Sequence, residues 1–156
     1  MPAESDAAAT ARQRADALYA QDATCRDLSI SIGPVAEGHA VARMRIAPAM
    51  ANGNGLAHGG YLFLLADTTF SYACATRGAT LAQSAHIVFL RPASVGDELV
   101  AEATERTRFG RTGVYDVTVR RADGTAIAEF RGQSQAVPDN FFRPDGQAQP
   151  GPRPGP

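Results

Sequence analysis

The chain has 156 residues, 44% of them hydrophobic, which suits one domain with its own core. Its formal charge is −1 and it has no long basic run, so it carries no electrostatic footprint for nucleic acid. Two cysteines, Cys25 and Cys74, form neither a disulfide framework nor a metal-spaced pair, and His39, His58 and His86 show no ligand spacing.

The N-terminus has no apolar h-region and no stretch reads as a membrane span, so a soluble cytoplasmic protein is expected. Residues Met1 to about Ala9 are small and polar and are expected to fray, leaving 1–13 as a flexible lead. Up to Gln21 the composition favours helix, with Ala15, Leu18 and Tyr19 at roughly helical spacing. Leu28 to Ile32 alternates as a half-buried strand does. Gly33-Pro34 and Glu37-Gly38 then read as a turn before a second strand, His39 to Ile46. His39 is expected at the surface, Cys25 as an incidental thiol and Cys74 as a small core residue.

The stretch Asn52 to Arg77 comes next, NGNGLAHGGYLFLLADTTFSYACATR. Its apolar run is too long for one strand and too interrupted for a membrane span, so the spacing predicts a largely buried helix over Gly60 to Arg77. After it, Ala82 to Leu90 reads as a strand stopped by Arg91-Pro92. Glu98 to Arg106, Gly113 to Arg121 and Ala126 to Val137 alternate as three more, and Asp123-Gly124 signals a type I′ hairpin turn. A main domain over 14–140 follows. Beyond Pro138 the chain is rich in Pro and Gly, and 141–156 are expected to be a disordered tail from which Phe141 and Phe142 dock on the body. Two strands, a long helix and four strands make an α+β chain.

Asp67 does not fit a merely structural helix. A carboxylate in a dry interior costs several kcal/mol unless it is paired, and Asp67 lies too deep in the helix to be an N-cap. The plain alternative is that it reaches water or bonds Thr68 or Ser71. Gly59 and Gly60 lie where the helix begins, where N–H groups lack intrahelical partners and the dipole favours negative charge, which is the local chemistry of an oxyanion hole. A turn that needs positive φ is the competing reading of the same glycines. Asp67 is eight residues beyond Gly59, about 12 Å along a helix. One reacting carbonyl needs partners at about 3 Å. If both groups serve one substrate, the Gly59 N–H therefore comes from a second copy about a two-fold axis.

The pattern N-G-x(4)-H-G-G-x(6)-D, with S-A-H-I-V-F-L-R-P and R-T-G-V-Y-D further on, resembles the hotdog-fold acyl-CoA thioesterases over about residues 14–137. Within them it is most similar to the branch acting on hydroxyphenylacetyl-CoA in phenylacetic acid degradation. The resemblance implies a hotdog fold, an antiparallel sheet wrapped around the long helix. It implies a dimer joined edge to edge with shared sites, a homotetramer built from two such dimers, and hydrolysis of phenylacetyl or hydroxyphenylacetyl thioesters without a cofactor beyond the coenzyme A of the substrate. Asp67 then matches the catalytic carboxylate, as nucleophile or as base for water, and Gly59 the oxyanion donor. His58 holds the loop or polarises the carbonyl, Asn52 orients the thioester or water, and Ser84 positions water. Gly60 and Ser71, with Arg91, Arg108 and Arg111 for the phosphates, make the substrate-binding set; the plain alternative for the arginines is solvation at strand ends. Tyr61, Phe63 and Phe70 can line an acyl pocket or be plain core. Asn54 stands where close relatives often carry His, which bears on substrate identity.

Two rivals stand beside this reading. A hotdog hydratase or dehydratase could recruit His58 and Asp67, but the His-Phe-Pro loop and the second Asp/His pairing of those branches are missing. A non-catalytic acyl-CoA-binding module would keep the fold without the chemistry.

Overall fold

A computed structural model describes residues 3–142. Three α-helices precede or interrupt six strands: α1 Ala3–Gln21, α2 Ala23–Asp27, β1 Ser31–Ala36, β2 His39–Arg45, α3 Gly59–Ala75, β3 Thr80–Phe89, β4 Glu98–Phe109, β5 Thr112–Arg121 and β6 Ala126–Ala136. The strands form one antiparallel sheet in the order β1-β2-β4-β5-β6-β3. The long helix packs across one face of that sheet, as the α+β reading expects.

The helix holds there because it is apolar on most sides. Leu62, Leu65, Ala66, Thr69, Phe70, Tyr72, Ala73 and Cys74 are buried. They meet Met44, Leu99, Val117, Val119, Ile127 and Phe130 from the sheet in one continuous core. Phe130 packs edge-on against Phe63 at 5.6 Å and Phe70 edge-on against Tyr115 at 5.6 Å. The Phe70 ring lies so close to β6 that a Cβ on Gly132 would sit 2.8 Å from it, so that strand position tolerates no side chain.

Several local expectations change. Helix α1 starts at Ala3, so the lead expected to be flexible is helical almost from its first residue; its alanines favour helix, and Ala11 and Ala15 pack into the body. Helix α2 is an addition, capped by Asp22, whose carboxylate accepts the Cys25 N–H at 2.9 Å. Cys25 is no incidental thiol: it is fully buried and its Sγ donates to Asp22 Oδ2 at 3.1 Å. Gly33-Pro34 is not a turn but lies inside β1 at a register shift, where an edge strand accommodates proline. The Asp123-Gly124 turn is not type I′, because Gly124 alone there has positive φ (88°) and its N–H returns to Arg121 O. His39 is half-buried and bonds Glu102 at 2.8 Å. The tail expected to be disordered lies, from residue 143 on, outside the described residues; Phe141 and Phe142 pack edge-on to each other at 5.2 Å.

The two edges of the sheet differ. β1 is short, bulged and packed by α1, whereas β3 runs for ten residues without proline and, among the described residues, pairs only with β6. Nearly all of β3 is exposed, and with Leu90 it presents Leu81, Val88 and Phe89 to solvent.

Candidate active site

Asn52 builds the loop that leads into α3. Its Oδ1 accepts the N–H groups of Asn54 (2.9 Å) and Leu56 (3.2 Å), and its own N–H donates to Leu56 O at 2.7 Å. The carbonyl end of the side chain is thus consumed by the loop. Its NH₂ group has no partner among the described residues, so turn former and substrate contact are compatible roles. His58 is the N-cap: its N–H donates to Met50 O at 2.8 Å and its Nδ1 accepts the Gly60 N–H at 3.0 Å. Because Nδ1 accepts, the ring proton sits on Nε2, which leaves a donor on the exposed side of the ring. A Cβ on Gly60 would lie 3.2 Å from Nδ1, so glycine there keeps room for the cap.

Gly59 is the first residue of α3, and its N–H has no acceptor among the described residues. The Phe89 ring, at the end of β3, covers it closely enough that a Cβ on Gly59 would come within 3.1 Å. Sequence reasoning missed Phe89, which reads there as one more apolar strand residue.

Beyond its two opening glycines, the half-buried residues of α3 are Tyr61, Phe63, Leu64, Asp67, Thr68, Ser71 and Ala75. Asp67 makes no hydrogen bond or ion pair among the described residues; neither Thr68 nor Ser71 binds it. Burial, with no compensating partner, pushes its carboxyl above the usual range. The same burial pushes the Cys74 thiol up to about 12, in keeping with its core position.

One turn beyond Asp67, Ser71 opens onto a groove of about 990 Å³ between α3, the start of β3 and the α1–α2 pair. Phe70, Cys74, Leu18, Asp22 and Phe142 also line it. The α2 part of its wall was not foreseen; the signal available was Asp22 three residues before Cys25, a capping pattern. A smaller cavity of about 100 Å³ adjoins the groove through Gly78, Ala79, Thr80, Ser134 and Asp139, and is lined further by Arg77, Arg108 and Arg111.

One chain does not unite all the expected residues. Ser84 stands exposed at a register shift on the free edge of β3, opposite Gln133. Arg91 donates to Ala126 O and Arg111 to Ala136 O, at opposite ends of β6 and thus about 33 Å apart along the strand. Arg108 and Arg111 therefore belong together and Arg91 apart from them. Among the described residues, no group of three or more His, Cys, Asp or Glu is placed to hold a metal, and no helix is long and apolar enough to cross a membrane.

A six-stranded antiparallel sheet packed on one long helix, with an unpaired carboxylate mid-helix and a free N–H at its start, defines the hotdog thioesterase architecture. A family model described as the thioesterase superfamily matches residues 54–128. The chain belongs to that superfamily. It is 43% identical over 126 residues to the acyl-coenzyme A thioesterase PaaI of Escherichia coli, covering 80% of this chain and 90% of the relative. The solved structure of the E. coli PaaI protein, from the phenylacetic acid degradation operon, superimposes with a TM-score of 0.82 at 42% identity, covering 84% of this chain and 96% of that one. A mutant of the phenylacetic acid degradation protein PaaI from Thermus thermophilus superimposes with a TM-score of 0.72 at 32% identity, covering 74% and 100%.

Proposed function

We propose that this protein is a cytoplasmic acyl-CoA thioesterase that hydrolyses phenylacetyl- and hydroxyphenylacetyl-CoA to free acid and coenzyme A in phenylacetate catabolism, needing no cofactor. The observation that carries the reading is the combination of a half-buried Asp67 and a Gly59 N–H that both lack partners among the described residues. The acyl-CoA chemistry and the pathway come from the relatives, an acyl-coenzyme A thioesterase and a protein of the phenylacetic acid degradation operon.

Hydrolysis joins a water oxygen to the thioester carbon and breaks the C–S bond, the leaving thiolate taking up a proton. Asp67, ionised, either attacks the carbon itself or takes the proton of the attacking water. Negative charge grows on the carbonyl oxygen, and the Gly59 N–H at the positive end of α3 is aimed to receive it. The Asn52 side-chain NH₂ and the Nε2–H of His58 are further donors from the same loop. Arg108 and Arg111 receive phosphates of coenzyme A.

Eight residues, about 12 Å of helix, separate Asp67 from Gly59, so each site takes them from different chains. The long apolar edge of β3 supports an edge-to-edge dimer, since an open edge of this kind is otherwise a liability for aggregation. Pairing β3 with its two-fold copy brings Ser84 and Phe89 to the subunit boundary. Two such dimers make the tetramer the family resemblance implies.

Mixed refolding tests both the chemistry and the sharing. Asp67→Asn and Asn52→Ala chains, each inactive alone, are refolded together. A random mixture is about half heterodimer, each with one intact site of two, so about a quarter of wild-type activity returns. Heterodimers confirmed by native mass spectrometry but without recovery would place both groups on one chain. Thiol release from a panel of acyl-CoAs separates the rivals: hydration without thiol marks a hydratase, and binding alone marks a module.

A further inference from the structure

A lone exposed aromatic needs no explanation. Phe109 is different because of what leads up to it. It is 89% exposed at the tip of the β4–β5 hairpin, against 52% for the next large apolar side chain, Phe89. Arg108 and Arg111 flank it. Arg111 has no carboxylate within salt-bridge range among the described residues, and Arg108 only Glu105 at 4.0 Å, which Arg77 already holds.

The tip closes a sequence of environments that starts at the candidate site. Ser71, one turn from Asp67, opens the groove; the groove adjoins the arginine cavity; the cavity's Arg108 and Arg111 carry Phe109 between them. Coenzyme A thioesters have the same order: acyl group, neutral pantetheine arm, phosphates, then a flat base. Asp67 to Ala75 spans about 12 Å of helix. Glu105, which bonds Arg77 just past the helix end, is followed by about 13 Å of strand to Phe109. Laid end to end these two legs come to about 25 Å, the length scale of an extended coenzyme A from its sulfur to its base. Asp139 also lines the cavity and opposes a phosphate there, which favours the outer side near Arg111.

We propose that the Arg108-Phe109-Gly110-Arg111 tip is the nucleotide platform of this protein, with Phe109 as the surface on which the adenine of coenzyme A stacks. The proposal rests on the thioesterase reading, and it makes Phe109 a binding residue remote from the reacting atoms. Base stacking on an aromatic ring and phosphate pairing with guanidinium are independent and each readable.

The test compares free coenzyme A, 4′-phosphopantetheine and pantetheine by calorimetric titration of the full chain. Phe109→Ala weakens coenzyme A about tenfold and leaves the other two unchanged. Arg111→Ala weakens both phosphorylated ligands, and Phe109→Trp restores coenzyme A binding. In turnover, Phe109→Ala raises KM for phenylacetyl-CoA with kcat unchanged and has no effect on the phenylacetyl thioester of N-acetylcysteamine. Unchanged coenzyme A binding in Phe109→Ala, or equal loss on pantetheine, overturns the platform. Selective loss in a protein that releases no thiol supports the platform and overturns the thioesterase reading instead.

Discussion

The two ends of α3 treat their polar groups in opposite ways. At the C-terminal end every group is answered. Arg77 donates twice to Glu105, both at 3.0 Å, and pairs with Glu37 at 2.9 Å, while Tyr115 donates to Glu105 at 3.0 Å. Thr76 Oγ1 donates to Ala73 O and accepts the Gly38 N–H, and Arg14 caps Thr76 O. From the middle to the N-terminal end the pattern reverses: Asp67, the Gly59 N–H and the Asn52 amide nitrogen have no partners among the described residues. Native proteins pair nearly all their buried polar groups, so a closed network marks architecture. Open groups on one half of a helix leave a carboxylate and N–H donors free for water or a ligand. The contrast separates two residue sets that look alike in sequence, since Arg77, Glu105 and Asp67 are all charged residues within segments that read as helix or strand.

The sharpest way to break the contrast is Asp67→Asn, which keeps shape and removes the ionisable group. Turnover falls by at least ~10²-fold. Because Asp67 has no partners to lose, the variant melts at or above the wild type at neutral pH. The sign follows from burial, which raises the carboxyl's pKa in the folded state. Its contribution to stability is fully present below the unfolded value and is lost as pH rises through the folded value, so a permanently neutral side chain escapes that loss. The gap in melting temperature closes on acidification through the raised pKa. The acidic limb of kcat/KM in the wild type lies above the ordinary carboxylate range, because the group must be ionised to act. Near-wild-type turnover in Asp67→Asn would remove Asp67 from the mechanism.

The complementary break is Glu105→Ala at the closed end. It takes both Glu105 contacts from the Arg77 guanidinium, leaving it Glu37, and strands the Tyr115 hydroxyl, so denaturant melts should show a loss of about 2 kcal/mol, below the range for fully buried pairs because both partners keep some solvent contact. kcat measured well below the melting temperature stays essentially unchanged. A variant as stable as the wild type would mean that the network is decorative. The smallest effect is expected from deleting Asp145 to Pro156, a Pro/Gly-rich segment whose composition cannot bury a core. Melting temperature and activity stay nearly unchanged, and a large drop would reveal an ordered arm.

What the sequence determined by itself was most of what is local or periodic, with helix α2, the early start of α1 and the Asp123-Gly124 turn type as the exceptions. The α3 helix, the six alternating segments, the glycine-rich entry at Asn52 to Gly60 and the misfit of Asp67 are all legible within a few turns of chain. Two-residue and 3.6-residue periods report burial directly. The 12 Å separation of Gly59 and Asp67 follows from helical rise alone. Other features depended on residues far apart in the chain. The position of β3 at an open edge, beside β6, comes from strand order, which alternation does not encode. Gly33-Pro34 reads as a turn until β1 is known to be an edge that can hold it. Glu105 looks like any solvated strand residue until Arg77 and Tyr115 close on it. Gly132 is compulsory only because the Phe70 ring crosses it. Arg91 and Arg111 look equivalent as strand-end cations, and only the register of β6 sends them to opposite ends of the sheet. Each depends on pairing or packing across many residues, where the free energy is decided by which surfaces meet and not by the propensities of either one.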